Sequence, residues 1–323
     1  MLWPVWRSLT IGFCLFAQAG LAHAETFDLT PGQTSVGKIQ SYTTKKGDTL
    51  LDVARAYDLG YTEMIAANPG FDPWQPDTGR LIVLPTLHIL PEGERKGIVI
   101  NLATQRMYYF LGGDSKVEVY PIGSGEIARA TPLGATQVMR VSDHPTWTPP
   151  PSIRAERPEL PDVVPPGPDN PMGGYALYLG WPRYAIHGTD KPFSIGRNLT
   201  HGCIRLYPED IGQLFRDAPV GTRVRVIKDD LQVADINGQL VLAMFPTMKQ
   251  ADDLDNGLVR KPVRTPGLHA QVKAAAGKKA RLIVWGIVDA VAAERSGLPT
   301  LITPPNAGTP KAKRTGEALV SSR

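Results

Sequence analysis

Three residues near the middle of the chain carry side chains suited to acyl transfer: His187, His201 and Cys203. A thiol with a free pKa of about 8.5 is only a few per cent ionised at neutral pH, so a cysteine nucleophile needs a group that takes its proton. An imidazole does this, and later returns the proton to a leaving amine. The expectation is therefore a thiolate–imidazolium pair at Cys203, alkylated by iodoacetamide well below pH 8. Gly202 lets the backbone approach a substrate with no side chain in the way. The turn from His201 through Cys203 can aim N–H groups at one point, as a tetrahedral oxyanion requires. Arg205 offers a planar fork for a carboxylate.

Residue types alone leave other uses open. His187, His201 and Cys203 are enough ligands for a catalytic zinc, although thirteen residues between the histidines and one before the cysteine match no common zinc spacing. Cys203 also suits a small buried apolar position, with two unrelated surface histidines. A redox-sensing thiol is the third alternative, against which stands the lack of a resolving cysteine.

That lack follows from the N-terminus. Arg7, an apolar run from Leu9 to Ala19 and the Ala22-His23-Ala24 cleavage pattern read as an export signal over residues 1–24. The run is too short to span a bilayer comfortably, so no stable membrane span is expected after processing. The rival readings are an uncleaved anchor and a lipoprotein, but Ile11-Gly12-Phe13 is a poor lead-in to a lipidated Cys14. Processing removes Cys14 and leaves Cys203 as a lone thiol in an oxidising compartment, the periplasm. With 35 Lys and Arg against 31 Asp and Glu, and part of the excess in the C-terminal tail, no basic face for nucleic acid is indicated.

The rest of the chain supplies elements to position these groups. Residues 25–40 read as a linker. Residues 41–86 read as strand, helix, helix, strand: a β-prone Ser41–Thr44, a turn at Lys46-Gly47-Asp48, a cap at Asp48 or Thr49, and an apolar face of Leu50, Val53, Ala54 and Tyr57. A second helix begins at Met64-Ile65 and stops at Asn68-Pro69-Gly70, before a strand at Leu81–Leu84. From 97 to 228 the pattern has period two, with strand-like runs at 98–102, 106–111, 116–122, 176–179, 184–186 and 223–227. One helix follows the cysteine, with Pro208 in its first turn and a stripe of Ile211, Leu214 and Phe215. The fold class is mainly β, a sandwich or barrel core with an attached helix. Residues 143–171 are proline-rich and read as a long cleft loop beside the chemistry. In residues 229–303, strands are expected at 239–245 and 281–285 and a helix at 288–295, with no chemistry assigned. Residues 304–323 read as a disordered tail.

Two stretches resemble known families. The run YTTKKGDTLLDVARAY…MIAANPGFDPW…GRLIVLP resembles a LysM domain. The resemblance implies a shallow groove for N-acetylglucosamine-containing glycan strands between Gly47-Asp48-Thr49 and Asn68-Pro69-Gly70-Phe71. The alternative is a spacer module that binds nothing. The run HGTDKPFSIGRNLTHGCIRL is similar to the signature of YkuD-type L,D-transpeptidases, and HPTWTPPPSIR…LPDVVPPGPDNPMGGYALYLG to the Gram-negative branch of that family. That resemblance implies Cys203 as nucleophile and His187 as base, its ring oriented by a backbone carbonyl near Gly188. It implies oxyanion donors at His201, Gly202 and Cys203, and Arg205 with Gly188 and Thr200 as substrate or site-ordering contacts. It implies no metal and no cofactor. The donor would be a peptidoglycan tetrapeptide stem, and the acceptor another stem or an outer-membrane lipoprotein. A hydrolase of the same fold and a non-enzymatic wall-binding scaffold are the rivals.

Overall fold

The structure is a computed structural model that describes residues 24–304; the expected export signal, apart from Ala24, and the tail lie outside the described residues, Pro304 excepted. The chain opens with β1 (Glu25–Asp28), β2 (Ser35–Gly37) and β3 (Gln40–Thr43), then α1 (Leu50–Ala56), α2 (Tyr61–Ala67), β4 (Leu81–Leu84) and β5 (Leu87–Ile89). The central region holds β6 (Gly97–Asn101), β7 (Arg106–Leu111), β8 (Lys116–Pro121), β9 (Ser124–Gly125), β10 (Gly134–Asp143), α3 (Pro151–Glu156), β11 (Tyr175–Leu179), β12 (Ala185–His187), β13 (Asn198–Thr200), β14 (Ile204–Arg205), α4 (Pro208–Asp217) and β15 (Arg223–Ile227).

Nine strands form one curled sheet in the order β1-β8-β7-β6-β15-β10-β11-β12-β14. The bend lies in β10. Its first half, Gly134–Gln137, pairs with β15; its second half, from Val138 onward, pairs with β11, with a register shift between Val138 and Arg140. A bulge of this kind bends the strand and raises its twist, so one long strand turns the sheet back on itself. The alternation of period two then sorts the side chains. Ile98, Ile100, Met107, Tyr120, Val224 and Val226 meet Ile211 and Leu214 of α4 inside the curl, while Val99, Tyr108, Phe110, Val117 and Val119 lie on the other face.

That second apolar face corrects the expected linker over residues 25–40. It needs a cover, and this segment supplies it. Leu29 and Val36 are buried against it, β1 pairs with β8, and β2 pairs with β5. The C-terminal region also departs from expectation. The strand at 239–245 is β17 (Gln239–Met244), paired with an unforeseen β16 (Leu231–Ile236) through an Asn237-Gly238 turn with both residues at positive φ. The strand expected at 281–285 is absent. A 3₁₀ turn ends at Leu282 and α7 (Trp285–Glu294) starts, because Val288 and Val291 extend the apolar spacing at helical period. α5 (Met248–Asp255), α6 (Leu268–Ala276) and β18 (Thr300–Leu301) complete the region. Among the described residues no helix is long and apolar enough to cross a membrane.

The βααβ module, with β3 and β4 paired, is docked tightly on the sheet. α2 begins at Tyr61, three residues earlier than expected, because its first amides find acceptors in the central region: Tyr61 N–H donates to the Ile195 carbonyl and Thr62 N–H to that of Gly196 (both 3.2 Å). Arg106, buried at the seam, pairs with Glu63 and donates to the Asp58 carbonyl. Beside it, the buried carboxyl groups of Asp58 and Asp210 interact, while Asp210 also accepts from the Ala24 amide (3.1 Å). Burial raises Asp58 to about 7 and pushes Asp210 well above the carboxylate range. Both titrate near pH 4 when unfolded, about 3.9 for aspartate. The folded chain therefore holds more protons between about pH 4 and about 7, and stability falls as pH rises across that window. Asp210→Asn removes the charge at nearly the same side-chain volume. Its melting temperature should exceed that of the wild type at pH 8 and not at pH 4, and equal declines in the two proteins would show that the pair carries no such linkage.

Candidate active site

β11, β12 and β14 lie side by side at one edge of the sheet. Ala176, His187 and Arg205 form one cross-strand row, and Tyr178 with Ala185 the next. Side chains alternate between faces, so Leu177, Ile186 and Ile204 enter the core and the row with His187 faces away from it. Cys203 immediately precedes Ile204 and so shares the face of His187. It packs against Ala176, Ala185 and Tyr178, with Trp147 and Met172 of the proline-rich segment over them. One strand spacing of about 4.8 Å and a two-residue step thus separate thiol and imidazole, though they are sixteen positions apart in sequence.

His187 is buried, and its Nδ1 lies 2.7 Å from the Gly188 carbonyl oxygen. A carbonyl only accepts, so Nδ1 carries the hydrogen and Nε2 keeps its lone pair. Gly188 is confined as well: a Cβ there would stand 3.0 Å from Ile211 of α4. Cys203 is half-buried, and its thiol points to the Arg183 carbonyl at 3.5 Å. The turn leading into it is clamped by Thr200, whose hydroxyl donates to the Cys203 carbonyl (2.6 Å) and accepts from the Gly202 amide (3.0 Å). Gly202 has φ +106°, and a Cβ there would sit 2.6 Å from the Tyr184 ring. Here the expected donor set changes. The Gly202 amide is engaged by Thr200, which leaves those of His201 and Cys203 as the candidate donors.

The electrostatics also revise the expected ion pair. Burial pushes the Cys203 thiol up, against the pull of the Ala185 amide and the Arg205 guanidinium. Burial and then Arg205 lower His187 to about 3, while the Gly188 and Met172 backbone acts the other way. Enclosure thus works against both charges of that pair, the thiolate and the imidazolium. Arg205 is itself largely enclosed, faces Asp190, and has its Nε without a partner among the described residues.

His201 does not join His187. Its Nε2 faces Glu156 of α3 at 3.2 Å and the guanidinium of Arg129, which also pairs with Glu156 and Glu126. The three-ligand zinc arrangement is therefore not assembled. Arg129 and Glu156 were not singled out from sequence; the only hint was the proline-rich stretch that contains Glu156. That stretch is an organised strap: Asn170 donates to the carbonyls of Pro145 and Pro165, Arg154 grips Asp162, and Trp147 pairs with Val164.

In the βααβ module, Gly47 (φ +93°) and Asn68-Pro69-Gly70 form the expected turns, but the polar side chains there are committed internally. Asp48 accepts from Tyr42 and the Lys45 amide, Thr49 caps α1 through the Asp52 amide, and Asn68 ties to Met64 and Val83.

A model of the L,D-transpeptidase catalytic domain, YkuD, matches residues 95–226, and a LysM domain model matches residues 42–85. The chain is 44% identical over 230 residues to the probable L,D-transpeptidase YbiS of Escherichia coli K12, covering 69% of this chain and 73% of that one. It is 45% identical over 225 residues to the probable L,D-transpeptidase ErfK/SrfK of the same strain (66% and 72%), and 41% over 245 residues to YcfS (72% and 76%). The chain belongs to the L,D-transpeptidase family. In this L,D-transpeptidase the desolvated site predicts a specific thiol titration. The rate of iodoacetamide alkylation at Cys203 should keep rising above the ordinary thiol range near pH 8.5, since the folded site disfavours the thiolate. Mass-spectrometric alkylation rates from pH 5 to 10 test this; a plateau below pH 8 would restore the standing ion pair.

Proposed function

We propose that this L,D-transpeptidase works in the periplasm on peptidoglycan tetrapeptide stems, with Cys203 as nucleophile and His187 as general base and acid. The observation that carries this reading is the shared face of β12 and β14: a thiol and an imidazole on adjoining strands, with the imidazole's Nδ1 committed to Gly188 and its Nε2 free to take a proton.

Because enclosure disfavours either charge standing alone, proton transfer accompanies attack. Cys203 Sγ adds to the carbonyl carbon between the L-centre of diaminopimelate and the terminal D-alanine, as its proton passes to His187 Nε2. The carbonyl oxygen becomes an oxyanion, held by the His201 and Cys203 amides; such donors are worth roughly 3–4 kcal/mol each in other acyl transfers. The C–N bond breaks, His187 protonates the departing D-alanine amine, and a thioester remains. The acceptor amine then gives its proton to His187 as it attacks, and the thiol is regenerated. Another stem or a lipoprotein lysine serves as acceptor. Arg205 suits a stem carboxylate. The LysM module, docked on the same body, would keep glycan strands close and raise the local concentration of stems.

Incubated with a carbapenem, the wild type should gain one drug mass and Cys203→Ala none, by intact-mass spectrometry. With tetrapeptide muropeptides the wild type should yield cross-linked dimers. His187→Ala should slow acylation by about 10²-fold or more. An adduct on the alanine variant removes Cys203 from its role, and cleaved monomers without dimers point to water as acceptor.

A further inference from the structure

The segment joining α5 to α6 has no part in this chemistry and is built unlike the rest of the surface. From Asn256 to Pro304 the sequence carries eight Lys and Arg against two acidic residues, in a chain whose net charge is only +4, so the remainder is slightly acidic. Most acidic groups nearby are already taken: Asp253 by Lys249, Asp289 by His269, Asp235 by Lys279 and Asp230 by Arg295, while Glu294 lies near Arg260. Lys261, Arg264, Lys273, Lys278 and Arg281 are exposed and have no carboxylate partner among the described residues. The chain beyond residue 304 adds four more cations and one anion, so it brings no compensating charge.

The loop Asn256–Gly267 also exposes apolar side chains between these cations. Val259 is 88% exposed, Leu258 57% and Val263 40%. Its base is fixed. Leu258 N–H donates to Asp253, Gln250 to the Lys261 carbonyl and Arg260 to the Arg295 carbonyl, while Arg295 holds Thr265. Pro262 and Pro266 stiffen it further. A loop whose role was solubility alone has no use for a nearly bare valine and leucine at its tip. Cations flanking a projecting apolar tip match the chemistry of an anionic bilayer, where apolar groups enter the acyl boundary and Lys and Arg meet headgroup phosphates.

We propose that the loop Asn256–Gly267, with its own cations Lys261 and Arg264 beside Leu258, Val259 and Val263, is a docking surface for the anionic phospholipid face of a membrane, which it touches without spanning it.

The test uses the full exported chain and sedimentation with vesicles. Binding to phosphatidylethanolamine vesicles holding 30 mol% phosphatidylglycerol should be at least tenfold tighter than to neutral phosphatidylcholine, and should weaken between 50 and 500 mM salt. The double variant Lys261→Glu/Arg264→Glu should lose roughly tenfold or more, and Val259→Asp several-fold, with melting temperature and muropeptide cross-linking unchanged in both. Equal binding to neutral vesicles, no binding to either, or anionic binding that ignores these substitutions overturns the proposal. So does an acidic protein segment that binds this loop when vesicles do not.

Discussion

A two-residue parallel ladder, Ile186 with Ile204 and His187 with Arg205, is the contact on which the site depends. It is short and lies at the end of the nine-strand sheet, and further bonds reinforce it. Leu206 N–H donates to the His187 carbonyl, and Gly123 bridges Arg205 on the other side. Ile186 and Ile204 anchor the pair from the core face. Burial of two isoleucines therefore fixes where a thiol and an imidazole stand on the opposite face. Losing either would move the chemistry without touching a reactive atom.

Enclosure has a consequence for how the thiol is activated. In water, an imidazole is already a weaker base than a thiolate, so the proton stays mostly on sulfur. Under Trp147 and Met172 enclosure adds to this, disfavouring the thiolate and the imidazolium alike. In the proposed reaction the charge would form during attack, when the His201 and Cys203 amides would meet it.

The sequence was most legible where one local rule acts. Period-two alternation marked β6, β7 and β8, Pro208 and its apolar stripe marked α4, and the residue types around Cys203 pointed to acyl transfer. Illegible features were those in which a group is claimed by a distant or competing partner. Thr200 takes the Gly202 amide, Arg129 and Glu156 take His201, and Asp58 meets Asp210 across the seam. The segment 25–40 looked like a linker because its few apolar residues make sense only once the second face of the sheet is known to need a cover. Asn68 and Asp48 look like ligand groups in a linear reading, yet they hold their own loops.

The joint between α2 and Gly196 also sets a dimension. Gly196, with φ +80°, fits so closely that a Cβ would lie 2.1 Å from the Tyr61 nitrogen, and β13 leads from there straight to the nucleophile turn. The two parts are therefore in close backbone contact at this junction. Any chain that contacts the small module and the turn at Cys203 together meets them at a separation set by this backbone contact.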